Sequence, residues 1–174
     1  MQNANPQAPG FDSPLDMLHA CHDRIMDQCT TLQRIIQHLP MHGCDEQALQ
    51  AASKVLRYFD TAGQLHHQDE EEDLFPLLQA SGNAEAANLI AQLAAEHQKM
   101  DALWHSLRGQ LLNMTENHSA ELDRKLVADF TLAYGKHVML ENMKLLPLAA
   151  KLLSVEQLQP MGKNMAQRRN VAPA

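Results

Sequence analysis

Aromatic side chains make up only 4% of this chain, and glycine contributes seven of its 174 residues. Little is left from which to build sheets and their tight turns. Cysteine is also sparse. Cys21, Cys29 and Cys44 are odd in number and lack CxxC spacing. Reduced thiols in a cytosolic protein are their simplest reading. Basic residues are outnumbered 14 to 21, for a net charge of −7, which argues against a nucleic-acid or anionic-membrane partner. No segment approaches the roughly 18 consecutive apolar residues of a membrane span. The first residues, MQNANPQAPGFDSP, have neither a basic start nor an apolar run. They do not read as a secretory signal, so a cytoplasmic location is expected.

What is present points to helix. The apolar fraction is 45%, enough for a core, and Leu, Ala, Gln, Glu and Met dominate. Residues 1–12 read as a flexible tail rich in Pro, Asn and Gln, and 13–154 as one domain. Ser13-Pro14 opens a first helix, expected to end near Leu39 ahead of Pro40. Asp45 caps a second, on which Leu49, Ala52, Leu56, Phe59, Gly63, His66, Glu70, Leu74 and Leu77 follow a 3–4 spacing. That makes one apolar face about eight turns long, with Pro76 kinking or narrowing its last turn. A third helix is expected over about 84–114 and a fourth from a Ser119 cap to about Leu153. Residues 155–174 read as a short fifth helix and a tail, whose basic MAQRRN looks solvated. Four long helices with short connections predict an antiparallel up-down bundle.

Ten residues are histidine, the commonest metal-ligand side chain. Two of them open an internal repeat. At an offset of 71, Phe59, Ala62, His66, Glu70, Leu74, Pro76 and Leu77 recur as Phe130, Ala133, His137, Glu141, Leu145, Pro147 and Leu148. Each copy holds His-x-x-x-Glu, with Pro six residues after the Glu. The repeat chooses between His66/Glu70 and His67/Glu71, because only the first pair has a counterpart. His67, Glu71, Glu72 and Asp73 are then expected to face solvent or to support the site from outside. If a helical hairpin is used twice, the odd-numbered helices should each add a matching group. His22 and His97 qualify, with His19 as the rival to His22.

Residues four apart on a helix share a face, so His-x-x-x-Glu aims one imidazole and one carboxylate at the same interior point. Two pairs plus two single histidines assemble four nitrogens and two carboxylates. Ionised carboxylates in a core need partner cations. Each carboxylate can bridge two metals, so the set predicts a two-metal site with open coordination positions. Imidazole with carboxylate suits iron or manganese, and also zinc. The absence of thiolates from the set argues against an iron–sulfur cluster.

His22, His66/Glu70 with Leu74-Phe75-Pro76, His97, and His137/Glu141 with Leu145-Leu146-Pro147 together resemble the hemerythrin-like, or HHE cation-binding, domain family. The resemblance covers about residues 14–153. It implies a four-helix bundle around a non-haem di-iron centre, with His22, His66, His97 and His137 as terminal ligands and Glu70 and Glu141 as bridges. It also implies binding or sensing of O2, nitric oxide or peroxide, in oxidative or nitrosative stress or in iron homeostasis. Oxygen-carrying members place a fifth histidine four residues after the one on the third helix, and here that residue is Asp101. Two rivals stand beside this reading: a di-iron enzyme turning over peroxide, nitric oxide or Fe²⁺, and an interaction module with a structural metal.

Overall fold

The structure, a computed structural model, describes residues 9–171. The expected tail over 1–12 lies mostly outside the described residues. Within them the chain is all helical, without a strand. Helix α1 spans Pro14–His42, α2 Glu46–Phe59 and α3 Ala62–Asp69. A π-turn, Glu70–Leu74, joins α3 to α4 (Phe75–Ala80). Helix α5 spans Ala84–Asn117 and α6 Arg124–Leu140. A second π-turn, Glu141–Leu145, leads into α7 (Leu146–Leu152), and α8 covers Val155–Arg168. No helix among the described residues is long and apolar enough to cross a membrane.

Helix α1 packs against α2 and α6, and α5 packs against the same two, so the contacts close a ring. Two apolar clusters fill it. One gathers Ile25, Leu32, Val55, Phe59, Trp104 and Phe130 with their neighbours. The other gathers Leu18, Leu74, Leu78, Leu93, Leu145 and Met165 with theirs. Between them lies a layer of histidines and glutamates, because on each long segment a polar residue separates two apolar ones: His22 falls between Leu18 and Ile25, and His97 between Leu93 and Met100.

Several boundaries differ from the sequence expectation for physical reasons. Helix α1 runs through Pro40 to His42 and gives up one ladder hydrogen bond, the one a residue with an N–H at position 40 would donate to the Ile36 carbonyl. It stops at Gly43, whose φ of +66° suits glycine, and the Gly43 N–H donates to the Leu39 carbonyl. The expected eight-turn helix is interrupted at Asp60 and Thr61. The Asp60 carboxylate there accepts from Trp104 Nε1 (3.1 Å) and Arg108 Nε (2.9 Å) of α5. Asp123, not Ser119, caps α6, accepting from the Lys125 and Leu126 amides.

Pro76, where a kink or narrowing is expected, instead widens the helix, and Pro147 does the same in the second copy. A proline cannot donate to the carbonyl four residues back and crowds it. In both copies the chain answers with a π-turn that begins at the Glu of His-x-x-x-Glu, closed by Phe75 N–H to Glu70 O and Leu146 N–H to Glu141 O. The extra residue re-aims the glutamates relative to the turn that follows.

Helix α8 opens with a capping box, Ser154 with Gln157, and lies against α1, α3 and the first π-turn. Gly162 makes that fit close, because a Cβ there would run into the Phe11 carbonyl oxygen. The basic segment at its end is not a solvated tail. Asp69, fully buried, accepts from Arg168 Nη1 (2.9 Å) and Arg169 Nη2 (2.6 Å). Asp73 accepts from Arg168 Nη1 (2.6 Å) and Asn164 Nδ2 (2.6 Å), and Glu72 from Arg168 Nη2 (2.9 Å). Part of the acidic run is therefore an internal anchor for the C-terminal helix.

Candidate metal centre

His22 on α1, His66 on α3, Glu70 and Glu141 at the starts of the two π-turns, His97 on α5 and His137 on α6 meet in the polar layer. Each is at most 1% exposed. Glu70 directs Oε1 toward His66 Nε2 (3.4 Å) and His22 Nε2 (3.8 Å), and Oε2 toward His97 Nε2 (3.3 Å). Glu141 directs Oε2 toward His22 Nε2 (3.1 Å) and Oε1 toward His137 Nε2 (3.2 Å). Each carboxylate thus divides its two oxygens between a His22/His66 nest and a His97/His137 nest. Within the second nest the two Nε2 atoms are 3.0 Å apart.

The outer ring nitrogens explain why the inner ones point as they do. His22 Nδ1 lies 2.6 Å from Asn142 Oδ1, His97 Nδ1 2.7 Å from Glu71 Oε1, and His137 Nδ1 2.9 Å from Glu96 Oε2. These oxygens accept from Nδ1–H, which leaves the Nε2 lone pair facing the interior, the tautomer a metal needs. The repeat carried a signal for two of these supports. Glu71 and Asn142 are 71 residues apart, each directly after a glutamate of the repeat, and each orients the histidine of an odd-numbered segment.

Nitrogen lone pairs facing carboxylate oxygens leave a layer rich in acceptors and poor in donors. Among the described residues, nine buried side-chain nitrogen or oxygen atoms lack a hydrogen-bond partner, and eight belong to His22, His66, His67, Glu70 and Glu141. Such a layer is stable only if cations enter it. Two overlapping groups offer ligand atoms within 4.8 Å of one another: His22, His66, Glu70, Glu141, and Glu70, His97, His137, Glu141. Their donors fit a pair of divalent or trivalent metals sharing both glutamates.

With the protein's own charges alone, protons take the cations' place. Burial disfavours charge on His22, but Glu141 and Glu70 outweigh it and push the imidazole up to about 10. Burial also opposes charge on His97, which Glu70 and then Glu71 push up to about 9. The glutamates diverge. Burial, then the charge of Glu141, raises Glu70 above the usual carboxylate range. Glu141 is held well below it, since hydrogen bonds from His137 and His22 overcome burial.

Outside the six, His19 is exposed and lies 4.0 Å from Asp23, so it does not compete with His22 for the interior. Asp101 is exposed, with Oδ1 3.9 Å from His67 Nδ1. His67 departs from expectation, being buried at 6% exposure and stacked on His97.

A family model described as the hemerythrin HHE cation binding domain matches residues 13–149. An uncharacterized protein of Haemophilus influenzae is 32% identical over 172 residues, spanning 98% of this chain and 99% of that protein.

Proposed function

Because this chain belongs to the hemerythrin HHE cation-binding domain family, we propose that it holds two iron ions inside an antiparallel four-helix bundle and uses them to bind or sense O2, nitric oxide or peroxide. The role that follows is in oxidative or nitrosative stress, or in iron homeostasis. The observation that carries the reading is the division of each glutamate's oxygens between the two imidazole nests. Two carboxylates that each bridge a pair of metals account for that arrangement, whereas a single-metal site would leave one nest of imidazoles unused. In this reading His22, His66, His97 and His137 are terminal ligands. Glu70 and Glu141 bridge, and Asn142, Glu71 and Glu96 fix the rings through Nδ1. Bound iron would supply redox chemistry and open coordination positions for a small ligand. The surrounding Leu, Phe and Met side chains keep bulk water from the layer.

The test is metal content per chain in protein purified without added metal, with optical spectra before and after O2 and nitric oxide. About two irons per chain, and near-ultraviolet absorption that changes with the gas, is the expected result. Zinc, or no metal in an intact fold with a silent spectrum, would overturn it.

The protons on His22 and His97 give a second expectation. An imidazole in the unfolded chain titrates near 6.5, whereas here it holds its proton to about 9 or 10. In the metal-free protein the folded state therefore binds more protons than the unfolded one between these limits. The stability that these two imidazoles contribute is complete below about pH 6.5 and is lost as pH rises toward about 10. Metal-loaded protein carries no such protons and escapes the loss. Urea midpoints at about pH 6.5 and about pH 9.5 check this. A chelated protein whose midpoint does not fall would contradict the arrangement of charges.

A further inference from the structure

The four imidazoles of the centre all turn Nε2 toward the glutamates, but what stands behind the rings differs. His97 Nδ1 lies 2.7 Å from Glu71 Oε1, and His137 Nδ1 lies 2.9 Å from Glu96 Oε2. Both supports on this half are carboxylates, and both are partly solvated, with side chains 49% and 32% exposed. On the other half His22 Nδ1 lies 2.6 Å from the neutral amide oxygen of Asn142. His66 is fully buried, and its Nδ1 has no hydrogen-bond partner. The difference follows the repeat. Glu71 and Asn142 hold the same place in the two copies, directly after the glutamate of His-x-x-x-Glu. Glu96 directly precedes His97, whereas the residue directly before His22 is Cys21, a free thiol.

We propose that the two halves take up metal unequally: the His97/His137 half fills first and holds its ion tightly, and the His22/His66 half fills second and exchanges with the free ion. The inference rests on the two-metal reading and deepens it. A carboxylate that accepts from Nδ1–H draws that proton toward itself, and the Nε2 lone pair becomes a stronger donor. A neutral amide does this less, and an imidazole without an acceptor gains nothing. The two carboxylates also place two negative charges near one cation and not near the other. Glu70 and Glu141 each serve both halves, so they do not set the order, and the groups behind the rings do. A half that fills only when the ion is plentiful makes its occupancy a measure of iron supply, which is the form that sensing takes within the iron-homeostasis role.

A bland role competes. Supports that only orient their rings would set no order, because an amide fixes a ring as a carboxylate does. Glu71→Gln with Glu96→Gln separates the two roles, since glutamine keeps an acceptor oxygen for each Nδ1–H and removes both charges. Asn142→Asp is the reverse change, adding a charge behind His22. The experiment titrates the full-length metal-free chain with Fe²⁺ in the absence of oxygen, against a competing chelator, with circular dichroism to verify each fold. The parent should bind two ions in two separate steps. In the double glutamine protein both ions should still bind, with the first step weakened at least about 10-fold. In Asn142→Asp the second step should tighten, so that the two steps converge. Single substitutions identify the halves. His66→Ala should retain one ion at close to the parent's first-step affinity, and His137→Ala should retain one only at second-step affinity. The opposite order, or steps unmoved by both charge changes, would overturn the inference and leave the two-metal reading intact. A parent that saturates at one ion per chain would overturn the two-metal reading itself, and this inference with it. Asn142→Asp keeps the test decisive if the double glutamine protein does not fold.

Discussion

Replacing Glu70 with glutamine is expected to abolish tight binding of the metal pair while leaving the metal-free protein as stable as before, or more so. Glutamine keeps the shape but removes one negative charge and one of the two bridging oxygens. Losing a group that merely supports a ligand already weakens metal binding about 10- to 100-fold, so losing a shared ligand should exceed about 100-fold. Metal-free protein responds in the opposite sense. Burial and the charge of Glu141 raise the Glu70 carboxyl, so an uncharged side chain removes a net cost of keeping it ionised in the core, while His22 keeps Glu141 and His97 keeps Glu71 as partners. Elemental analysis after gel filtration reads the first effect, and urea unfolding of chelated protein reads the second. A Glu70→Gln protein that keeps two metals per chain would contradict the bridging role. One that unfolds when chelated would show that the carboxylate serves the fold.

The second large effect is expected at the far end of the chain. Removing both guanidinium groups, as Arg168→Ala with Arg169→Ala, strands Asp69 fully buried without a partner. An orphaned buried charge destabilises by about 3–5 kcal/mol. For a chain of this size that lowers Tm by about 6–20 °C. Adding Asp69→Asn should recover much of the loss, because the charge that needed partners is gone. Thermal unfolding of the four proteins in this cycle checks it. A Tm within about 2 °C of the parent in the doubly substituted protein would mean that α8 is held by its apolar contacts alone.

The helices were legible because their apolar residues keep a 3–4 spacing. Four of the six polar positions were legible because two of those stripes repeat at a fixed offset, and His22 and His97 because a duplicated hairpin asks each odd-numbered helix for a matching group. His67 escaped the same logic. It lies one residue from His66 and about 100° around the helix, which reads as the outer face when one stripe is taken to face one core. Its segment has neighbours on more than one side, so His66 turns toward His22 while His67 turns toward His97. The arginine anchor escaped for another reason. Asp69 and Arg169 are 100 positions apart, and no local pattern marks two opposite charges as partners. At Asp60 the helix breaks without glycine or proline, and the residues that hold it there, Trp104 and Arg108, belong to a different helix. The paired prolines are visible in the sequence, but the wider turns they produce are not, because a helix can meet a missing donor by kinking, narrowing or growing a π-turn.

The polar layer divides the interior into two apolar clusters that meet only across it. Cooperative unfolding needs each half of a core to stabilise the other through direct contact, and here that contact passes through unpartnered nitrogens and oxygens. Metal ions in the layer would act as rivets, binding side chains from α1, α3, α5 and α6 and the two π-turns into a single melting unit. Without them the two halves can open separately, so loading with metal would set the size of the cooperative unit as well as its stability.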